Sequence, residues 1–503
     1  MEAGPRRKLV TASVLLGLFL GAIEATAVAA AMPTVVGELG GVAHYSWVFS
    51  AYLVATTVTV PLYGKLSDRH GRRLIYAVAV GLFCLGSALS GAARSLPQLI
   101  AFRALQGLGA GGVFPVAVTV IGDIFNLEER ARMQGVFSGV WGLASLIGPA
   151  LGGVVTQLLS WRWVFYLNIP PGIASAIILA LYLEERPEPR EHRLDLLGIG
   201  ALVVSVTALL FSLLEGHHLW GWGDPRNVGL LALAVGAAAL FVRQERHAAE
   251  PMLPVELLRS RLVGLAAAAS AGLGAVIFTA SAYIPMYGQG VLLGKAIDAG
   301  LLLAPISVGW PLASTLAGRL LLRTGYRRLM VVGGVVAVSG GLVLATVGPG
   351  AGRAHVMAAM LVLGFGLGLI NTPQLVAVQT AVPWRLRGVA TSGLQFFRTI
   401  AGAVAVAVFG LILNHRLAAS AAASGLDLTH ADTLLDPATR GTVAPADLAA
   451  MAGAFYHALY PVFVGIAVLA VVLLAAALAF PAGSARALAH PESEDGGARA
   501  AQR

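Results

Sequence analysis

The chain has 503 residues, of which 57% are hydrophobic and only 12% charged, with a formal net charge of +9. A soluble globular protein carries about 25% charged residues, so this composition excludes an ordinary soluble protein. Apolar runs recur from end to end, each long enough to cross a hydrocarbon core of about 30 Å. We therefore predict an all-α polytopic membrane protein. The basic residues are scattered in short groups, so no nucleic-acid partner is expected, and the single cysteine, Cys84, excludes an intramolecular disulfide.

The first apolar segment contains a glutamate, Glu24, whose nearest charged neighbours along the chain are Lys8 and Glu38. The run from Leu9 to Met32 is too long for the apolar part of a signal peptide, so we interpret it as a spanning helix. Ionisable residues at membrane depth are costly and usually face a cavity or a partner. Glu24 is therefore a candidate functional residue.

Division of the chain at charge groups and at Pro/Gly positions predicts about fourteen spanning segments. They are 9–33, 47–66, 74–93, 97–122, 133–158, 161–183, 194–215, 227–243, 261–288, 297–322, 329–348, 355–379, 388–413 and 455–480. An even number places both termini on one side. Most lysines and arginines fall in the loops of that side, so the positive-inside rule predicts that both termini are cytoplasmic. We expect the protein in the inner (cytoplasmic) membrane.

A short internal repeat indicates a duplication. GKLSDRHGRRL (64–74) follows the second predicted helix and GRLLLRTGYRRL (318–329) follows the tenth, with glycines and bases at matching positions. An extra helix pair would then separate two six-helix halves. The predicted organisation is an N-terminus 1–8, a first bundle 9–184, the extra pair with linkers 185–260, a second bundle 261–480 with an extracytoplasmic loop 414–453, and a disordered cytoplasmic tail 481–503.

Two arginines also lie inside predicted spans. At 1.5 Å per residue, Glu24 lies roughly 13 Å below the outer end of its helix and Arg103 roughly 9 Å below the same surface, so an acid–base pair is plausible. Desolvation favours the neutral form of a carboxyl, whereas a nearby arginine favours the ionised form. A carboxyl that alternates between these two environments in two conformations would bind and release a proton. The alternative is a structural ion pair or a polar packing contact. Arg398 lies roughly 15 Å from the cytoplasmic end of its helix, and both a functional and a structural role remain open for it.

Sequence motifs typical of soluble enzymes are either absent or lack the structural context that they require. GLGAGG (107–112) spells a dinucleotide-binding pattern but lies inside an apolar helix with no preceding strand, so we interpret it as close helix packing through small residues. No HExxH or GxSxG pattern occurs. No enzyme class has support, and neither a metal nor a cofactor is expected.

The fifth predicted helix contains SGVWGLASLIGPALGGVV (138–155). Pro149 removes a backbone hydrogen bond and kinks the helix. Gly142, Gly148, Gly152 and Gly153 let a neighbouring backbone approach closely. The pattern favours a hinge or a sealed helix interface, with generic small-residue packing as the alternative.

Together these pieces resemble the major facilitator superfamily, and within it the fourteen-helix drug:proton antiporters. GKLSDRHGRR resembles the superfamily's loop between helices two and three, and AFRALQGLGAGG its fourth-helix motif. GLASLIGPALGG resembles the fifth-helix motif of exporters. EATAVAAAMP and SWRWVFYLNIPPG (160–172) resemble patterns of the fourteen-helix group.

The resemblance implies two six-helix bundles that rock around a central cavity, with substrate leaving as protons enter. Glu24 would take the place of the first-helix acid and Arg103 that of the proton-relay arginine. A cytoplasmic latch between the bundles would comprise Gly64, Asp68, Arg69, Gly71, Arg72 and Arg73. Three departures stand out: Glu24 replaces the usual Asp, Ala29 the usual Asn, and the second copy of the loop has Leu322 where the first has Asp68.

We therefore expect a monomeric, proton-gradient-driven antiporter in the lipid bilayer that exports lipophilic small molecules such as drugs, dyes and toxic compounds. The scarcity of other deep acids favours neutral or monocationic substrates. The alternatives are a transporter of the same fold dedicated to one metabolite, siderophore or lipid, and a membrane receptor that does not transport. Candidate cavity residues are Gln106, Arg398 and five others that ordinary packing explains equally well, namely Tyr283, Tyr287, Asn371, Gln374 and Phe396.

Overall fold

The computed structural model describes residues 5–125, 127–185, 195–248, 255–348, 350–382, 387–424, 434–435, 440 and 443–482, and this part of the chain is helical. The helices are α1 Pro5–Leu39, α2 Tyr45–His70, α3 Arg72–Ala92, α4 Leu96–Ile124, α5 Leu127–Leu158, α6 Arg162–Tyr166, α7 Ile169–Tyr182, α8 Leu196–Phe211, α9 His217–Trp220, α10 Pro225–His247, α11 Val255–Arg259, α12 Arg261–Gly290, α13 Ala296–Thr324, α14 Tyr326–Ala345, α15 Arg353–Ala381, α16 Arg387–Ser424 and α17 Pro445–Ala479. A π-helical turn, Ser212–Gly216, follows α8.

Within the described residues, eleven helices are long and apolar enough to cross a membrane. Three shorter apolar stretches lie at Tyr45–Val60, Gly142–Leu158 and Leu197–Phe211, in α2, α5 and α8. The sixth predicted segment is divided between α6 and α7, which meet at Leu167 and Asn168. Every predicted apolar segment therefore falls on helix.

The two copies of the repeated loop share an unusual backbone. Gly71 joins α2 to α3 with φ 90° and ψ 147°, and Gly325 joins α13 to α14 with φ 79° and ψ 166°. Residues with a side chain rarely adopt such positive φ values. The matched geometry at matched motif positions agrees with a duplication.

The helices pack as two bundles and one pair. Helices α1–α7 pack with one another (the first bundle), as do α12–α17 (the second bundle), and α8 packs with α10 (the extra pair). Leu202 and Phe241 of the extra pair share an apolar cluster with Val58 of α2 and Phe396 of α16. The extra pair therefore covers the place where α2 and α16 meet.

The glycines of GLGAGG place α4 tightly against its neighbours. A methyl group on Gly107 would lie 2.5 Å from the Tyr52 carbonyl oxygen of α2, and one on Gly109 would lie 2.5 Å from the Ala79 carbonyl oxygen of α3. The interpretation of this motif as close helix packing is confirmed.

Both bundles begin and end at one face. Arg6 of α1 pairs with Glu184 after α7, and Arg261 at the start of α12 donates to the Ala479 carbonyl oxygen at the end of α17. We call this the termini face, and the other end, where α1 finishes at Leu39, the opposite face.

The bundles are joined near the opposite face. Thr34 Oγ1 donates to Gln289 Oε1 at 2.8 Å, and the Tyr45 hydroxyl donates to the Ala282 carbonyl oxygen at 2.5 Å. Ser46 Oγ and the Tyr283 hydroxyl lie 3.3 Å apart in the same region. Between described residues, the hydrogen bonds that link the bundles lie in this half of the molecule, so the structure is closed at the opposite face.

The predicted loop 414–453 is shortened from both ends, because α16 continues to Ser424 and α17 already begins at Pro445. The stretch is rich in alanine, the strongest helix former, and Pro445 suits a first helical turn. In the described part of the loop, Arg440 donates to the carbonyl oxygens of Gln289 and Leu293 at 2.8 Å each and so caps the end of α12. The predicted disordered tail lies outside the described residues beyond 482.

Candidate functional site

The structure brings Glu24 of α1 and Arg103 of α4 together. Arg103 Nη1 donates to Glu24 Oε1, and the two side chains are 3% and 0% exposed. A pair of opposite charges taken so fully out of water is stable only when its remaining hydrogen-bonding atoms are also matched. The neighbouring polar groups therefore decide what the pair can do.

Three buried polar side chains complete what we call the Glu24 cluster. Asn168 Nδ2 donates to Glu24 Oε2, so both carboxylate oxygens are occupied. Arg103 Nη1 also donates to Gln106 Oε1 at 2.5 Å, and Gln106 Nε2 donates to Ser87 Oγ at 2.6 Å. The cluster is 0 to 2% exposed throughout. The cluster therefore surrounds the Glu24 carboxyl with donors from the protein.

Aromatic rings cover the cation. The Arg103 guanidinium carbon lies 4.1 Å from the centroid of the Tyr52 ring and 5.9 Å from that of Phe165. A guanidinium over an aromatic face is attracted by the ring's electron density. The rings therefore help to hold Arg103 in place.

Sequence reasoning missed Asn168, Ser87 and Tyr52. Asn168 had a detectable signal, since it is a lone amide between Leu167 and Ile169 at the start of a spanning segment. Ser87 and Tyr52 had none, because single hydroxyls are ordinary in spanning helices. Gln106, a predicted cavity residue, lies buried in the Glu24 cluster.

The glycines of α5 pack it against the helix that carries Glu24. A methyl group on Gly148 would collide with Thr26 Oγ1, and one on Gly152 with the Ala27 carbonyl oxygen. These α1 residues follow Glu24 by less than one helical turn. The backbone near Glu24 is therefore held by direct contact with α5.

The same part of α5 also contacts the second bundle. A methyl group on Gly153 would lie 2.5 Å from Ile297 Cα of α13, and one on Gly142 would lie 3.3 Å from Pro311 Cγ. The Pro149 carbonyl oxygen meets Gly300 of α13. The motif thus forms a close interface between α1, α5 and α13.

The predicted latch residues lie at the termini face. Glu185 Oε1 accepts hydrogen bonds from the backbone N–H groups of Arg72 at 2.5 Å and Arg73 at 3.1 Å, next to Gly71. Glu185 therefore caps α3, a role that sequence reasoning did not assign. The side chains of Asp68 and Arg69, and the surroundings of Gly64, are outside the described part of the structure. The latch between the bundles stays a prediction.

In the second bundle, two predicted cavity residues form a pair. Arg398 Nη2 of α16 donates to Asn371 Oδ1 of α15 at 2.5 Å. Gln374, one turn along α15, donates through Nε2 to Ser270 Oγ of α12 at 3.2 Å. These polar groups meet among α12, α15 and α16.

The remaining predicted cavity residues pack elsewhere. The Tyr283 hydroxyl donates to the Val406 carbonyl oxygen at 2.6 Å, within the contact between the bundles. The Tyr287 hydroxyl donates to the Gly348 carbonyl oxygen at 3.1 Å, and its ring lies 5.3 Å from that of Phe463 inside the second bundle. Phe396 faces the extra pair.

The family model of the Major Facilitator Superfamily matches residues 14–406. The chain belongs to the Major Facilitator Superfamily. It is therefore a multi-pass membrane transporter, and the two packed bundles are those of the major facilitator fold.

Curated relatives carry drug-efflux names. The chain is 34% identical over 411 residues to the multidrug transporter protein MdtP of Bacillus subtilis (strain 168), covering 82% of this chain and 76% of the relative. It is 35% identical over 406 residues to the multidrug resistance protein 3 of the same organism, covering 80% and 79%.

Solved structures share the fold at low identity. A bacterial homologue of the human lysosomal transporter Spinster, in an inward-facing and unoccupied conformation, superposes with a TM-score of 0.70 at 16% identity and covers 95% of this chain and 98% of its own. A D-xylose–proton symporter superposes with a TM-score of 0.60 at 15% identity, covering 86% and 96%.

Proposed function

We propose that this transporter is a proton-coupled antiporter that exports lipophilic small molecules by alternating access. The observation that carries the proposal is the buried Glu24 carboxylate, with one oxygen on Arg103 and the other on Asn168. An acid at membrane depth is a functional hypothesis by default, and here its partner is known. The efflux names of the relatives support the transport of drug-like molecules.

We place fourteen helices across the membrane and the termini face in the cytoplasm. The three shorter apolar stretches coincide with the second, fifth and seventh predicted spans, and together with the eleven long helices they give the predicted number. The positive-inside rule then assigns the basic termini face to the cytoplasm. The opposite face, where the bundles are joined, would then be the outer face, and it is closed in this structure.

Proton exchange at Glu24 would link the two states. With Glu24 ionised, both of its oxygens and the Arg103 charge are matched in the closed arrangement described above. A proton on Glu24 removes the negative charge and leaves Arg103 buried without its counter-ion, which is costly. The protonated cluster would therefore favour a different arrangement of α1, α4 and α7, in which the opposite face is open.

The α5 interface would transmit that change. Thr26 and Ala27, which follow Glu24 on α1, touch Gly148 and Gly152 of α5, and Gly153 touches α13 of the second bundle. Closely packed helices shift as units, because cores this dense do not deform continuously. A movement of α1 at Glu24 would thus reach the contact between the bundles.

The test is gradient-driven dye efflux from proteoliposomes. The wild type, Glu24→Gln and the control Glu184→Gln, which changes an exposed carboxylate, are compared with cationic ethidium, neutral Nile red and anionic sulforhodamine B. We expect the wild type and the control to move dye only with an imposed proton gradient, and Glu24→Gln to lose this transport. Equal pumping by Glu24→Gln would refute the assignment. Movement of none of the dyes by folded wild type would favour a dedicated cargo instead.

A further inference from the structure

Two arginines lie at membrane depth, one in each bundle, and they differ in their partners. Arg103 has the carboxylate of Glu24. Arg398 has the neutral amide of Asn371, and within the described part of the chain no carboxylate lies within 4.0 Å of its guanidinium. The first arginine is neutralised, and the second carries an uncompensated charge.

The Arg398 guanidinium is also incompletely hydrogen bonded. Its Nε is buried and has no partner, which is equally true of Arg103 Nε, and on the neighbouring α15 the buried Gln374 Oε1 has none either. Native proteins rarely leave buried donors and acceptors unmatched without a functional reason. Arg398 is partly buried, and an arginine withdrawn from water is normally paired, because desolvating a lone charge is expensive. Among the described residues, Asn371 is the hydrogen-bond partner of this guanidinium, and no acidic group accompanies it.

The pair lies near the middle of its helices. Asn371 is roughly 15 Å from the end of α15 at Ala381, and Arg398 is roughly 16 Å from the start of α16 at Arg387, at 1.5 Å per residue. Both ends are at the termini face, so the site lies at about half the depth of the membrane.

Asn371 lies on the side of α15 that faces away from α14. Gly366, on the other side of α15, packs against Ala337 of α14. Thr372 donates to α13 and Gln374 to α12, and Asn371 lies between these two directions on the helix surface. Helices α12 and α13 are the ones that α1 of the first bundle contacts. The Arg398–Asn371 pair therefore faces the space between the bundles.

We infer that Arg398, positioned by Asn371, binds an acidic group of the exported molecule, so that the preferred cargo is a lipophilic organic anion such as a carboxylate or sulfonate. The inference rests on the proposed export function and names its substrate class. The guanidinium fork matches such oxyanions with two parallel hydrogen bonds. A cationic cargo would instead add to a charge that nothing in the described spans cancels. This replaces the expectation of neutral or monocationic substrates drawn from the scarcity of acids.

Direct binding of two xanthene dyes tests the inference. Fluorescence anisotropy of sulforhodamine B (an anion) and rhodamine 6G (a cation) is measured with the full chain in nanodiscs. We expect the wild type to bind sulforhodamine B at least tenfold more tightly than rhodamine 6G. In Arg398→Gln, the affinity for sulforhodamine B should fall at least tenfold and the affinity for rhodamine 6G should stay unchanged. Arg398→Lys should keep part of the affinity for sulforhodamine B. Arg243→Gln, the same change at an exposed arginine, is the control.

A second variant keeps the test valid if Arg398→Gln fails to fold. Asn371→Asp has the same shape and gives Arg398 an internal counter-ion, so it should fold at least as well and lose sulforhodamine B binding. Unchanged binding in Asn371→Asp, a wild-type preference for rhodamine 6G, or equal loss of both dyes in Arg398→Gln would overturn the inference. These binding measurements need no proton gradient. A failure of proton coupling at Glu24 is therefore distinguishable from a failure of anion recognition at Arg398.

Discussion

Asn168 donates to the Glu24 oxygen that Arg103 leaves unoccupied. The two donors come from α4 and the start of α7, so the carboxylate of α1 is held from two sides. Every oxygen of the acid therefore has a hydrogen-bond donor inside the protein. This arrangement makes the charge of Glu24 sensitive to the relative positions of three helices.

Removal of the Asn168 amide should therefore impair coupling. We expect Asn168→Leu to lower gradient-driven efflux of the exported dye at least tenfold, because a hydrogen bond to a charged group contributes about 1.5–3 kcal/mol, or roughly 10- to 100-fold in the balance of two states. The measurement is the initial efflux rate in proteoliposomes. Asn227→Leu, at a buried asparagine of the extra pair, is the matched control, and an equal loss in both variants would contradict the specific role of Asn168.

Close packing of α5 on α1 predicts a difference between two glycines of one helix. Gly152→Ala would push a methyl group into the Ala27 carbonyl, whereas Gly139→Ala meets nothing within 4 Å. Overpacking typically costs about 1–3 kcal/mol, so Gly152→Ala should lower the thermal unfolding midpoint by several degrees and reduce transport. Gly139→Ala should behave like the wild type. Indistinguishable melting and transport for the two variants would show that this interface is not tight.

The contact between Thr34 and Gln289 predicts a cross-link that arrests transport. In a Cys84→Ser background, Thr34→Cys with Gln289→Cys places two thiols at positions whose side chains now meet, with Thr34 Oγ1 2.8 Å from Gln289 Oε1. Because cysteine is shorter than glutamine, a short bis-methanethiosulfonate reagent is used to bridge the thiols. The bridge should join the bundles at the opposite face and stop efflux, and a reductant should restore it. The single-cysteine variants serve as controls. A cross-linked transporter that works at the wild-type rate would exclude opening at this face.

Two neighbouring glutamates should differ in their contribution to stability. Glu185 accepts from two backbone N–H groups at the start of α3, and loss of such a cap costs about 1 kcal/mol. Glu184 makes an exposed ion pair with Arg6, which typically contributes little. Glu185→Ala should therefore lower the unfolding midpoint, whereas Glu184→Ala should leave it unchanged. The reverse order would show that the cap is unimportant.

Much of the architecture could be predicted because it follows from hydrophobic length and from helical rise. The depths of Glu24 and Arg103 predicted that the two could meet, since both could be counted from the same membrane surface. The small residues from Gly107 to Gly112 predicted close packing, because only small residues let the backbone of a second helix approach closely. These features depend on one helix, or on one distance along a helix.

The contacts that could not be predicted depend on how each helix is rotated about its axis, since this decides which neighbour a side chain faces. Tyr287 and Phe396 were plausible cavity residues, but Tyr287 packs within the second bundle and Phe396 against the extra pair. Asn168 was overlooked because its partner Glu24 is far away in the chain. The cap by Glu185 likewise joins residues more than a hundred positions apart. Such contacts are set by the packing of whole helices, which no local pattern records.

The most direct test of the account is substrate-driven proton movement. Proteoliposomes with a trapped pH-sensitive dye receive the exported compound from outside, with no imposed proton gradient. For the wild type we predict that the lumen becomes more alkaline as the compound enters, and for Glu24→Gln that the pH stays constant while exchange of labelled for unlabelled compound continues. The same alkalinisation in Glu24→Gln would contradict the claim that Glu24 is where the transporter exchanges its proton.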